Sequence, residues 1–119
     1  MSYDIWIEIP CKKEGKDDWM PINDGYNYTS NVSKMFYEAF EKIGGNWRDF
    51  HDYNKEHMTC KKAIPLLKKA IKELEDNPEH YKQYNPPNGW GNYEGAINFL
   101  KNILSDCEKI PYGRIGFWV

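Results

Sequence analysis

Arginine is scarce in this chain: Arg48 and Arg114 are the only two in 119 residues. Sixteen basic residues stand against 18 acidic ones, for a net charge of −2. The basic face that strips counterions from a nucleic acid is therefore missing, which argues against a nucleic-acid polymer as partner. Long apolar runs are missing too. None nears the roughly 20 residues that a membrane-spanning helix needs, so no membrane partner is expected. The opening "MSYDIWIEIP" has no basic segment, apolar stretch and small-residue cleavage site in succession, and no export signal is expected from it. Cysteine is limited to Cys11, Cys60 and Cys107. An odd, widely spaced set reads as free thiols in a reducing, cytoplasmic compartment rather than as a disulfide framework. No internal repeat is visible.

What the chain has in excess is aromatic residues. They make up 16% of it, with nine tyrosines and five tryptophans. A single domain spanning 1–119 does not need so many amphipathic rings for its core, so some should line a surface or pocket with one apolar and one polar edge. The competing reading is that they fill a small core.

The pattern along the chain predicts an α+β fold. "YDIWIEI" alternates, with Tyr3, Ile5, Ile7 and Ile9 on one side and Asp4, Trp6 and Glu8 on the other, a half-buried strand expected to stop at Pro10. "RIGFWV" repeats the alternation at the other end. The two strands are expected to pair, with Trp6, Trp118 and Arg114 on a shared second face. Residues 10–30 show no sustained period and read as a long loop. Three main helices follow. One runs from about Asn31, with Val32, Met35, Phe36, Ala39, Phe40 and Ile43 as its apolar stripe, to a glycine stop at Gly44–Gly45. The second spans about 59–75, with Pro65 in its first turns or at a kink. The third spans about 92–107, and "NPEHYKQY" adds one or two extra turns.

Two loops share a grammar of asparagine, tyrosine and glycine leading onto a helix start. In "YNPPNGWGNYEGA" the prolines hold Asn85 and Pro86 extended, Asn88–Gly89 turns, and Asn92 caps the helix. Either this is a turn with Trp90 as its buried plug, or it is a pocket wall with Trp90 or Tyr93 stacking a ring. In "DGYNYTSN", Asn27, Tyr28, Thr29 and Asn31 sit ahead of the first helix. Together the loops predict one shared polar pocket near helix N-termini, where unpaired amides favour an anion. Neither carries the Gly-Lys-Ser/Thr of a phosphate loop, and "NGWG" is too short for a dinucleotide fingerprint.

A third segment, "NWRDFHDYNKEH", offers Trp47 beside the pocket and Arg48 as an anion anchor oriented by Asp49. His51, Asp52, His57 and Cys60 match no standard zinc spacing, so no metal is assigned. Asp49 with His51, or Cys60 with His57, would need converging geometry before counting as catalytic, so no catalytic residue and no cofactor are assigned.

With "YDIWIEI", "YNYTSNVSKMF" and "NPPNGWGNYEGAINFL", the sequence resembles a family of short, largely uncharacterised proteins of phages and bacteria. The resemblance covers most of the chain outside residues 11–22. It implies an intracellular, phage or mobile-element setting and supplies no activity. The leading expectation is a non-enzymatic binder of a small polar, nucleotide-like ligand that sequesters a host signal. The ligand would be held by Asn27, Tyr28, Thr29, Asn31, Trp47, Arg48, Asn85, Asn88, Trp90, Asn92 and Tyr93. The alternative is an interaction module for a host or virion protein, and the third is a small hydrolase or transferase. A homodimer or higher oligomer is expected as well, because so small a sheet seldom stands alone.

Overall fold

The computed structural model describes residues 1–119 and has the expected α+β architecture. One long strand, β1 (Ser2–Lys13), organises the sheet. Three shorter strands pair with it antiparallel: β2 (Lys16–Pro21), β3 (Tyr26–Thr29) and β4 (Arg114–Trp118). Glu8 lies opposite both Pro21 and Arg114, and Asp4 opposite both Asn27 and Trp118. Hence β2 and β3 run end to end along one edge of β1, and β4 occupies the other. The alternation in the sequence becomes two faces. Tyr3, Ile5, Ile7, Ile115 and Phe117 point into the core, and Trp6, Arg114 and Trp118 share the opposite face through the Trp6–Gly116 and Glu8–Arg114 register.

The strand does not end at Pro10, and residues 10–30 are not one loop. β1 continues to Lys13 and turns back through Glu14–Gly15, both at positive φ, into β2. Counting back from the Lys13–Lys16 pair at this two-residue turn, Pro10 falls at a non-hydrogen-bonded position opposite Trp19. Its missing N–H therefore faces away from β2, past the end of β4, and costs no ladder bond. At the break between β2 and β3, Gly25 (φ +75°) presses on the backbone of Ile5 and on Trp6 Cβ, leaving no room for a side chain.

Helices α1 (Ser33–Lys42), α2 (Cys60–Asp76) and α4 (Tyr93–Lys109) cover one side of the sheet, with α3 (Pro78–Lys82) as a single short turn after α2. Their apolar stripes meet the inner sheet face in one core that includes Met35, Phe36, Phe40, Leu67, Leu74 and Leu100. Gly44 (φ +85°) stops α1. Thr59 and Asn92 cap α2 and α4 by accepting the amides of Lys62 and Gly95. Pro65 lies inside α2. No helix is long and apolar enough to cross a membrane. The molecule measures 51 × 27 × 25 Å, its long axis extended by the β1–β2 hairpin.

Candidate functional site

The two asparagine- and glycine-rich loops, about 60 residues apart in sequence, meet in space. Tyr28 sits at the centre of the junction. Its ring stacks on Phe99 at 5.8 Å. Its hydroxyl accepts the Asn92 N–H at 3.0 Å and donates to the Asn92 carbonyl at 3.3 Å. Gly95 makes this possible, since a Cβ there would collide with the Tyr28 hydroxyl, and one at Gly91 would run into Thr29 and Val32. The loops thus touch directly. No pocket separates them; instead a cleft opens on either side of the contact.

The first cleft, of about 390 Å³, lies between the start of α1 and residues 83–88 and is lined by Asn31, Lys34, Gln83, Tyr84, Asn85 and Asn88 among others. Asn31, Lys34 and Glu38 follow each other at helical spacing and so share one face. Lys34 Nζ stands 4.7 Å from the centre of the Tyr84 ring. Behind it, His80 Nε2 lies 3.0 Å from Glu38 Oε1, with Gln83 Nε2 3.2 Å from His80 Nδ1. Burial pushes the Glu38 carboxyl up. Hydrogen bonds from Tyr84 and His80, with the charges of His80 and Lys42, outweigh that and hold it below its usual range. Tyr84 is raised in turn, chiefly by its hydrogen bond to Glu38. The second cleft, of about 380 Å³, runs between β3 and α4 and is lined by Tyr26, Asn27, Tyr28, Asn98, Phe99 and Asn102 among others.

Trp90 is no plug. It is 70% exposed, two residues beyond Asn88, whose Oδ1 accepts the Trp90 N–H at 2.9 Å. Gly89 and Gly91, both at positive φ, bracket it. Its indole is left in water at the cost of apolar hydration and lines neither cleft.

Compared with protein-family models, with curated proteins and with solved structures, the chain matches none.

Of the residues expected to form the site, Trp90 lines neither cleft, and the other ten divide into three groups. Asn31, Asn85 and Asn88 line the first cleft, and Asn27 and Tyr28 the second. Thr29, Asn92 and Asn85 are also occupied in building the loops. Thr29 Oγ1 accepts the Asn31 N–H, Asn92 Oδ1 the Gly95 N–H, and Asn85 Oδ1 the Tyr93 N–H. Tyr93, Trp47 and Arg48 lie elsewhere. Tyr93 is buried with its hydroxyl on the Leu74 carbonyl. Trp47 is wholly buried among Tyr3, Phe36, Phe40 and Phe50, so its ring is a core element and is closed to ligand. Arg48 is exposed at a separate cleft with Tyr37, Glu41 and Asn46. Asp49 does not orient it, because that carboxylate pairs with Lys55 at 2.8 Å. Lys34, Gln83 and Tyr84 went unmarked in the sequence. Only the helical spacing of Lys34 from Asn31 hinted at them.

The groups considered for metal binding or catalysis are dispersed. His51 is buried against Tyr3 and Trp47, while His57 places Nδ1 2.7 Å from the Ile115 carbonyl oxygen. Cys60 is buried, and its neighbour Cys107 is pushed far above the ordinary thiol range by the contact with Cys60 and by burial. No three His, Cys, Asp or Glu side chains converge as a metal site would require.

Proposed function

We propose that the cleft between α1 and residues 83–88 binds a small anionic ligand carrying a flat ring, of nucleotide-like chemistry, without transforming it. The observation that carries this reading is a cleft that gathers carboxamides and the Tyr84 ring around a single ammonium, with the exposed Trp90 two residues beyond its Asn88 wall. Lys34 supplies charge for a phosphate or carboxylate. The Asn31, Asn88 and Gln83 amides have the donors and acceptors that read a base edge. Trp90 and Tyr84 offer faces for stacking, worth on the order of 1–3 kcal/mol per base. Sequestration requires this combination and no nucleophile. In a phage or mobile-element setting, it would remove a signalling nucleotide from the host cytoplasm.

Calorimetric titration against mono-, di- and cyclic dinucleotides tests the reading. At least one should bind, and Lys34→Ala should weaken it by about tenfold, the loss of one exposed charge contact at about 1.4 kcal/mol. A flat response at millimolar ligand would overturn it.

A further inference from the structure

Three of the five tryptophans, Trp6, Trp19 and Trp118, lie on the one sheet face that no helix covers. They are held in a connected array. The Trp6 indole lies flat on Gly116, where any Cβ would collide with it. Its Nε1–H donates to Glu8 Oε2 at 2.9 Å, and Arg114 Nε donates to Glu8 Oε1 at 2.8 Å. The Arg114 guanidinium then stacks over the Trp19 ring at 4.2 Å. Trp118 completes the row and is 66% exposed. An antiparallel sheet can leave one face to water, but it then carries small polar side chains there. This one carries preorganised indoles and a stacked arginine, the residues that concentrate in the cores of protein interfaces.

From this face we infer a self-association surface: a second copy of the chain packs against it about a twofold axis. Most of its charge is already matched within one copy: Glu8 pairs with Arg114 and Lys12 with Asp17, which leaves Asp4, accepting from the neutral Asn27 amide at 2.8 Å, as the one unmatched charge. An identical face therefore meets little net repulsion, as an isologous contact requires. A nucleic acid, in contrast, would meet three carboxylates against two cations, both already paired. β1 at 12 residues is roughly 40 Å long, and the flanking strands add a row on each side, so the face covers roughly 500 Å² in plan. Two copies would bury roughly 1,000 Å², the lower bound of a specific interface, which sets the dimer as a weak one. On the β4 side of the sheet, edge-to-edge pairing fits less well. The outer edge of β4 is occupied by residues 53–60, through Ile115 N–H to the Met58 carbonyl and Cys60 N–H to the Gly113 carbonyl, and Pro10 blunts the distal edge of β1.

Sedimentation equilibrium across a concentration series separates the outcomes. The wild-type chain should show a monomer–dimer equilibrium with Kd on the order of 10–100 µM. Trp118→Ala, at an exposed position that leaves the core intact, should weaken it at least tenfold. Trp90→Ala, the other highly exposed indole, should leave it unchanged. A chain that stays monomeric throughout overturns the proposal and leaves the face to a foreign protein. A dimer equally strong in Trp118→Ala overturns it as well, since copies would then meet elsewhere. Circular dichroism of each variant confirms that it remains folded.

Discussion

At Gly95 a single hydrogen atom decides how two distant loops fit together. Replacing glycine by alanine inside a helix ordinarily stabilises it by about 1 kcal/mol. Here the added methyl meets the Tyr28 hydroxyl, and overpacking of that kind costs about 1–3 kcal/mol. Gly95→Ala should therefore lower the melting temperature. In a Tyr28→Ala background the same change should raise it. Chemical denaturation of the four proteins checks the reversal of sign. His51 makes a second residue-scale case. Burial, helped by the Arg48 charge and opposed by Asp52, lowers its pKa to about 4 from 6.5. The unfolded chain takes up the proton first, so the folded state is undisturbed above pH 6.5 and loses stability as pH falls towards 4. The full shift corresponds to about 3 kcal/mol. Melting curves of wild type and His51→Phe should diverge over that window, with the variant less sensitive to acid.

Among the elements, legibility tracked the strength of periodicity. α1, α2 and α4 announced themselves by apolar stripes at three- and four-residue steps, and β1 and β4 by clean alternation, because each buries one face against a common core. The β1–β2 hairpin did not. Its distal residues, Lys12 to Asp18, are exposed on both faces, so no apolar alternation marks them. The only signal was Glu14–Gly15, a weak version of the Asn-Gly turn. Glu14 sits at φ 53°, a region that costs a residue with a Cβ about 1–2 kcal/mol and that asparagine tolerates better. Glu14→Asn should thus stabilise the protein by about 0.5–1 kcal/mol, measurable as a shift in denaturation midpoint. No gain would mean that the hairpin unfolds independently of the body.

For the molecule as a whole, the sequence foresaw that the two asparagine-rich loops come together and misjudged which residues gather around them. Asparagine and glycine punctuate loops in ways that local rules read well, so the Tyr28–Asn92 junction was foreseeable. Which aromatic ring turns inward is set by tertiary packing. Trp47 and Trp90 occupy similar polar surroundings in sequence, yet one is wholly buried and the other mostly in water. Lys34 and Tyr84 became neighbours only when α1 packed beside the turn after α3. Much of the aromatic surplus falls accordingly into a core set around Trp47, the Tyr84–Trp90 loop and the open sheet face.

Native mass spectrometry of the protein purified from the cells in which it naturally acts addresses the binding claim most directly. The expected result is an adduct of several hundred daltons that is retained by Trp118→Ala and lost on Trp90→Ala or Lys34→Ala. A bare chain mass, or an adduct indifferent to Trp90 and Lys34, would contradict ligand binding at this cleft.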